Sequence, residues 1–158
     1  MNDSADQAER YALANHFKHT HPNPLFRALI AQFNARLLAL ADAAPPQSAL
    51  EVGCGEGFVL KYLAERRPNW RLAGCDVNIG AVACAQSHCP PSISLLVADI
   101  YRLPMPSRSC DLVICSEVLE HLIDVPAALA ELRRVSRGHV LITVPHEPVF
   151  RVLARLAV

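Results

Sequence analysis

Alternating glycines are the residues of this 158-residue chain whose spacing says most about chemistry. Gly53, Gly55 and Gly57 follow an apolar run at residues 49–52 and precede a predicted helix at residues 58–67. Glycine lets a backbone turn sharply and approach a ligand where a Cβ would collide. The order of strand, glycine loop and helix N-terminus therefore predicts a site for a nucleotide-like ligand.

Carboxylates near this loop indicate the charge of its ligand. Glu51 lies in the apolar run and Glu56 lies within the loop. A diphosphate would meet like charge here, whereas a nucleoside that carries a sulfonium and an ammonium group would be attracted. A dinucleotide fingerprint would also need a glycine where the chain has Phe58. The loop favours a cationic nucleoside, and an NAD-dependent oxidoreductase is the less favoured alternative.

The segment Glu51-Val-Gly-Cys-Gly-Glu-Gly57 resembles the first motif of the class I methyltransferases that bind S-adenosylmethionine (SAM). Residues 25–149 are similar to the small-molecule branch of that family, which includes the ubiquinone-type enzymes. The resemblance implies SAM as the cofactor and methyl transfer to a small molecule as the activity. Oxygen is the favoured acceptor atom, with nitrogen or carbon left open. A non-catalytic SAM-binding or interaction module is a further alternative.

The elements that must position the loop alternate along the chain. Apolar runs predict strands at residues 49–52, 70–75, 93–97, 110–115 and 139–144. Helical periodicity and capping residues predict helices at residues 25–41, 58–67, 79–87 and from Asp124 to Gly138. This alternation indicates an α/β protein. The resemblance implies a Rossmann-like, doubly wound and mainly parallel sheet, with strand order 3-2-1-4-5 and helices on both faces.

The resemblance also predicts how the chain is organised. Residues 1–44 are expected to form an N-terminal helical or lid segment, and residues 45–158 a SAM-binding core. The family usually adds a C-terminal antiparallel hairpin, which the sequence after residue 144 does not provide. We therefore expect a truncated core whose fifth strand is an exposed edge, through which two copies could pair as a homodimer.

Cofactor contacts are implied by the positions of residues in the family's motifs. Glu51 and the glycine loop would hold the methionine end of SAM. Asp76 lies 19 residues beyond Gly57, the place from which a carboxylate accepts hydrogen bonds from a ribose diol. Asp99 would bind the adenine amino group, and the backbone N–H of Ile100 would meet the ring. The full implied set is Glu51, Gly53, Cys54, Gly55, Gly57, Asp76, Val77, Asp99, Ile100 and Ser116.

Glu117 and His121, which follow the fourth predicted strand, are the candidate catalytic residues. Methyl transfer needs mainly alignment and exclusion of water, but a hydroxyl acceptor also needs a base. If the segment is helical, Glu117, Glu120 and His121 share one face. This pattern also resembles the segment that holds a divalent metal in some ubiquinone-pathway and small-RNA methyltransferases, with His146 as a fourth ligand. We expect no metal and keep this site as the alternative.

Composition disfavours several other classes of protein. The 15 basic and 15 acidic side chains balance, so a nucleic-acid partner is not favoured. No run approaches the roughly 18 apolar residues of a membrane span, and the first residues lack the pattern of a signal peptide. The 6 cysteines contain no CxxC pair and are expected to be reduced core residues. We expect a cytoplasmic protein that acts on a small-molecule substrate.

Overall fold

Helices and strands alternate through residues 22–144, the part of the chain that the computed structural model describes. They are, in chain order, α1 (Pro24–Asp42), β1 (Ser48–Val52), α2 (Phe58–Arg66), β2 (Arg71–Asp76), α3 (Ile79–His88), β3 (Ser94–Val97), β4 (Cys110–Ser116), α4 (Val125–Val135) and β5 (Ser136–Thr143). A 3₁₀ turn at Leu119–His121 lies between β4 and α4. All strand pairs are parallel, in the order β3-β2-β1-β4-β5. The predicted Rossmann-like class and strand order are confirmed.

Each face of the sheet is covered by its own apolar cluster. On one face, Leu37 of α1 and Leu63 of α2 pack with Ala49 of β1. On the other face, Leu132 of α4 packs with Leu50 of β1. Adjacent residues of β1 point to opposite faces because side chains of a strand alternate. Each fully buried leucine contributes roughly 1.5–3 kcal/mol, so the glycine loop follows a strand that is packed on both faces.

Helix α1 is fixed at both ends. The side chain of Asn23 accepts a hydrogen bond from Leu25 N at 2.9 Å, and Pro24 occupies the first turn, where its missing N–H is not needed. At the other end, Arg67 Nε donates to Asp42 Oδ1 at 2.8 Å. The Arg67–Asp42 pair joins the ends of α1 and α2, and both helices pack in the same apolar cluster.

The end of helix α4 was predicted wrongly. The sequence placed it at Gly138, but α4 ends at Val135 and β5 begins at the next residue. Gly138 lies inside β5, beside a register shift between Cys110 and Leu112 of β4. A Cβ on Gly138 would be 2.7 Å from the carbonyl oxygen of Asp111. This glycine therefore permits a bulge in the strand, and it does not end a helix.

Asp111 joins the starts of three strands at the edge of the sheet opposite the glycine loop. Its Oδ2 accepts hydrogen bonds from Gln47 N at 3.1 Å, Ser48 N at 3.0 Å and Ser48 Oγ at 2.9 Å. Its Oδ1 accepts from Arg137 Nε at 2.9 Å. The hydrogen bonds from Arg137 and then from Ser48 lower the pKa of Asp111 to about 2. The ionised carboxylate ties β1, β4 and β5 together.

We predict that Asp111→Asn destabilises the protein at neutral pH by about 1–2 kcal/mol, through lost charged hydrogen bonds. The folded-state pKa lies below the usual 3.8, so this stabilisation is complete above the unfolded pKa and is lost as the pH falls toward about 2. Urea unfolding of both proteins at a series of pH values measures it. The difference in free energy of unfolding should shrink below about pH 4, and a difference independent of pH would refute the assignment.

Composition-based expectations can also be compared with the structure. Within residues 22–144 no helix combines the length and the apolar character that a membrane crossing requires. The cysteines are all free thiols. Residues 1–21 of the predicted N-terminal segment, and the candidate ligand His146, lie outside the described residues.

Candidate functional site

The carboxyl ends of neighbouring strands bring the predicted cofactor residues to one edge of the sheet. Glu51 stands near the end of β1, Asp76 ends β2 and Ser116 ends β4. Asp99 follows β3. Because β1 pairs with both β2 and β4 in parallel register, these ends lie side by side. This edge is where open α/β sheets bind ligands.

The loop after β1 needs glycine for its conformation and for its packing. Gly53, Gly55 and Gly57 have φ angles of 77°, 52° and 77°, in the left-handed region that other residues rarely adopt. A Cβ on Gly53 would overlap the side chain of Val118, and one on Gly57 would lie 2.7 Å from the sulfur of Cys89. The sequence predicted these glycines from a sharp turn and close approach to a ligand. Close packing against other side chains of the protein is an additional reason for Gly53 and Gly57, which the sequence did not reveal.

Asp76 fastens the glycine loop to the neighbouring strand. Its Oδ2 accepts a hydrogen bond from Gly55 N at 2.8 Å, and its Oδ1 accepts from Asn78 N at 2.8 Å. Gly53 N and Cys54 N both donate to the carbonyl oxygen of Cys75, at 2.8 and 2.9 Å. A carboxylate has about four acceptor sites, so Asp76 keeps capacity for ribose hydroxyls. The loop and the predicted ribose-binding carboxylate therefore hold each other in place.

Glu51 is buried beside the loop with one oxygen unpaired. Glu51 is 2% exposed, and its Oε2 has no hydrogen-bond partner within residues 22–144. Desolvation, assisted by the negative charge of Asp76, raises the pKa of Glu51 to about 8, although a hydrogen bond from the Leu60 backbone opposes the shift. Buried unsatisfied groups are rare in folded proteins, and strongly shifted acids cluster at functional sites. A buried carboxyl group with an open acceptor oxygen has the chemistry to bind a cationic group, and the role of Glu51 in the cofactor site stays a prediction.

Cys54 contributes to the loop through its backbone. Its side chain is buried in the cluster that contains Leu60, next to Gly74. Burial, followed by the negative charge of Glu51, raises the pKa of the Cys54 thiol. A buried thiol of this kind is a poor nucleophile. Because the side chain is packed in the core, a contact between Cys54 and a cofactor would come from main-chain atoms.

Two of the residues predicted to contact the adenosine part, Val77 and Asp99, are exposed to solvent. Val77 is 67% exposed although its side chain is apolar. Asp99 is exposed, and its Oδ1 accepts a hydrogen bond from Tyr101 N at 2.9 Å. Ile100 is buried in the α4-side cluster and anchors this segment. An apolar surface beside a carboxylate suits the flat ring and amino group of adenine.

The segment after β4 is strained and tied to β5. Glu117 has a φ of 58°, which a side chain other than glycine adopts at a cost of about 1–2 kcal/mol. Thr143 Oγ1 donates to Glu117 Oε1 at 3.2 Å and lies 2.8 Å from Ser116 Oγ. Thr143 was missed by the sequence analysis, where its only signal was its place at the end of a strand. Strain of this kind is typical of functional sites.

The helix that would align Glu117, Glu120 and His121 is not formed. The 3₁₀ turn begins at Leu119, and Glu117 stands outside it at the strained bend. His121 Nε2 lies 3.8 Å from Glu120 Oε1. In the described part of the chain, no three His, Cys, Asp or Glu side chains are grouped so as to hold a metal ion. The assignment of Glu117 or His121 as a base stays a prediction.

Comparison with known proteins gives a family match over most of this region. A family profile described as a methyltransferase domain matches residues 50–142. The chain is 30% identical over 138 residues to a malonyl-[acyl-carrier protein] O-methyltransferase of Serratia marcescens, covering 87% of this chain and 53% of that protein. It is 33% identical over 105 residues to a probable S-adenosylmethionine-dependent methyltransferase of Mycobacterium tuberculosis, covering 66% of this chain and 37% of that protein. The matched region thus spans between 31% and 53% of the length of the first curated relatives.

A solved structure shares the fold. The plantazolicin methyltransferase BpumL, crystallised with a triazolic desmethylplantazolicin analogue and S-adenosylhomocysteine (SAH), matches with a TM-score of 0.64. It is 22% identical, and the match covers 85% of this chain and 51% of that one. At this level of identity the match shows a common architecture.

Proposed function

This chain belongs to the class I SAM-dependent methyltransferases, and from that premise we propose that it binds SAM at the glycine loop and transfers the methyl group to a small molecule. The observation that carries the proposal is Glu51, a buried carboxyl group with an unpaired oxygen next to the loop. Such a group favours an ammonium-bearing ligand and disfavours a diphosphate. The resemblance, in which this position holds the methionine end, supports the same ligand.

The residues present fit SAM at each of its parts. Glu51 Oε2 could accept a hydrogen bond from the ammonium group, and Asp76 has unused acceptor sites for the ribose hydroxyls. Val77 and Asp99 offer an apolar surface and a carboxylate to adenine. When bound, SAM would supply a methyl group on a positively charged sulfur. The positive charge of SAM would be attracted by the carboxylate of Asp76, and by Glu51 once it has released its proton.

The chain's own contribution to the reaction would be alignment and exclusion of water. The glycine loop, held by Asp76 and by the carbonyl of Cys75, would fix the cofactor against the end of β1. Glu117, oriented by Thr143, and His121 are the proposed groups for accepting a proton from a hydroxyl acceptor. The Serratia marcescens relative is named an O-methyltransferase, which supports oxygen as the acceptor atom here.

Binding of SAH and of NAD to the same preparation tests the proposal. We expect SAH to raise the melting temperature, because a ligand at about 100 times its Kd stabilises a protein by about 2.7 kcal/mol. NAD at the same concentration should leave the melting temperature unchanged. Tritium transfer from labelled SAM to a metabolite extract then tests for activity. Stabilisation by NAD alone would overturn the proposal, and SAH binding without transfer would favour a non-catalytic SAM-binding module.

A further inference from the structure

An ion pair on α4 stands apart from every residue assigned to the cofactor. Arg134 Nε donates to Glu131 Oε2 at 2.7 Å, and Arg134 Nη2 donates to Glu131 Oε1 at 2.8 Å. The two side chains are 34% and 16% exposed, and their positions three residues apart place them on one face of the helix. The pair lowers the pKa of Glu131 and raises that of Arg134, so both groups are charged at neutral pH.

The pair binds the backbone of the connecting loop, residues 98–109, which runs from β3 to β4. Arg134 Nη2 donates to the carbonyl oxygen of Leu103 at 3.0 Å, and Arg134 Nη1 donates to that of Met105 at 2.9 Å. Glu131 Oε1 accepts from Leu103 N at 2.8 Å. Both polar backbone groups of Leu103 are therefore held. Only a planar guanidinium provides donors in the fork that reaches two carbonyls and a carboxylate at once.

Hydrogen bonds attach the connecting loop to the residue before α4 and to the last two turns of the helix. Near the start of the helix, Asp124 N donates to the hydroxyl of Tyr101 at 3.1 Å. At its end, Arg108 N donates to the carbonyl oxygen of Arg134 at 2.7 Å, and Ser109 N donates to that of Val135 at 2.9 Å. The Glu131–Arg134 pair attaches the part of the loop between these points, through the backbone of Leu103 and Met105 and the hydroxyl of Ser107. Helix α4 thus sets the path of a loop that has no helix or strand of its own.

Asp99 stands at the beginning of the same loop. Tyr101 N donates to Asp99 Oδ1 at 2.9 Å, and Arg102 N donates to the carbonyl oxygen of Asp99 at 3.0 Å. This hydrogen-bonded turn is followed directly by Leu103. Because two hydrogen bonds close this turn, fixing Leu103 on α4 restricts where the Asp99 carboxylate can lie.

We infer that Glu131 and Arg134 are positioning residues that hold Asp99 where the adenosine part of the cofactor binds. They touch no cofactor themselves and act through the backbone of Leu103 and Met105. The inference rests on the proposed function, because it assumes that Asp99 meets adenine. It adds that α4, a helix outside the site, affects binding of the adenosine part of SAM and does not affect binding of the methionine part.

The test is calorimetric binding of SAH, adenosine and methionine to the wild type and to Arg134→Lys. Lysine keeps the charge and the ion pair with Glu131, but its single ammonium cannot hold both loop carbonyls. We expect the Kd of SAH and that of adenosine to rise by the same factor, about tenfold. The Kd of methionine should not change. If Arg134 had a purely structural role, the Kd values of all three ligands would rise together or none of them would change.

Arg137→Lys is the matched control. Arg137 also pairs with a carboxylate, that of Asp111, but at the edge of the sheet away from the glycine loop. This variant should lose stability and keep the wild-type affinity for SAH and adenosine. If Arg134→Lys and Arg137→Lys bind SAH equally well, the inference is wrong.

A double variant, Glu131→Arg with Arg134→Glu, separates the loop contacts from the ion pair. The reversed pair can still form within α4 but presents a carboxylate to the loop carbonyls. We expect SAH and adenosine to bind it as weakly as they bind Arg134→Lys, and wild-type affinity would overturn the inference. If the wild type itself binds no SAH, the proposed function fails. If the wild type binds SAH and the variants bind it with the same affinity, only the proposed role of the Glu131–Arg134 pair is wrong.

Discussion

Replacing Glu51 by glutamine should weaken SAH binding by about tenfold to a hundredfold, the value of a lost charged hydrogen bond, while it stabilises the cofactor-free protein. Glutamine has the size of the protonated acid but cannot ionise to meet an ammonium group. The unpaired Oε2 and the burial of the side chain make Glu51 a group that the folded protein does not satisfy by itself. Its presence is explained by a ligand.

The gain in stability should depend on pH. The folded-state pKa of Glu51 is raised from 4.5 to about 8, so its favourable contribution is complete below the unfolded pKa. That contribution is lost as the pH rises through the folded pKa. Because glutamine mimics the protonated form, both proteins should be about equally stable near pH 4.5. Glu51→Gln should become more stable above it, by up to about 1.4 kcal/mol per pH unit until about pH 8.

Urea unfolding from about pH 5 to pH 9 and calorimetric titration with SAH measure the two effects. Asn34→Leu is a suitable control, because Asn34 in α1 carries another buried side-chain oxygen without a partner. This variant should change stability and leave SAH affinity intact. A Glu51→Gln protein that binds SAH as tightly as the wild type would remove Glu51 from the cofactor site.

Asp76→Ala should weaken SAH binding by about 1–3 kcal/mol through the loss of charged hydrogen bonds to the ribose. It should also release the glycine loop, because Gly55 N and Asn78 N both donate to this carboxylate. Hydrogen exchange at the amides of Gly55 and Asn78 should therefore become faster in the variant, with global stability only slightly reduced. The sequence suggested a ribose contact alone, and the structure adds the restraint on the loop.

Calorimetric titration with SAH and exchange measured by mass spectrometry separate these roles. Asp76→Asn retains one acceptor oxygen, so it should restore part of the loop protection but little of the affinity. An affinity for SAH that is unchanged in Asp76→Ala would remove the ribose assignment. Faster exchange without a loss of affinity would leave Asp76 with a structural role only.

Much of the fold could be predicted because its determinants are local. The apolar run before Gly53 is a strand buried on both faces, and the helix predicted at residues 25–41 is α1 with one more residue at each end. Carboxyl ends of parallel strands share one edge by topology, so the proximity of Glu51 and Asp76 followed from the strand order. The predicted helix cap at Asp124 is also local and is confirmed, since Asp124 Oδ1 accepts a hydrogen bond from Ala127 N at 3.0 Å.

The features that were missed depend on contacts between distant residues. A glycine after a helical segment predicts a helix end, and Gly138 fits that pattern. Its actual environment is a close approach to the backbone of Asp111, which depends on how β4 and β5 pair. Arg134 looks like an ordinary helical charge in the sequence, and the carbonyl groups that it binds lie about 30 residues earlier. At the bend, Glu117 is hydrogen-bonded to Thr143 of β5, a contact that the helical spacing of the segment could not reveal.

Proton release on cofactor binding is the most direct test of the central claim, that a buried acid beside a glycine loop receives the cationic end of an adenosyl ligand. Titration of SAH at pH 7, in two buffers of different ionisation enthalpy, counts the protons exchanged. With the pKa of Glu51 at about 8 in the free protein, the account predicts release of about one proton per SAH bound. Glu51→Gln should release none. Tight SAH binding without proton release in the wild type would contradict the account.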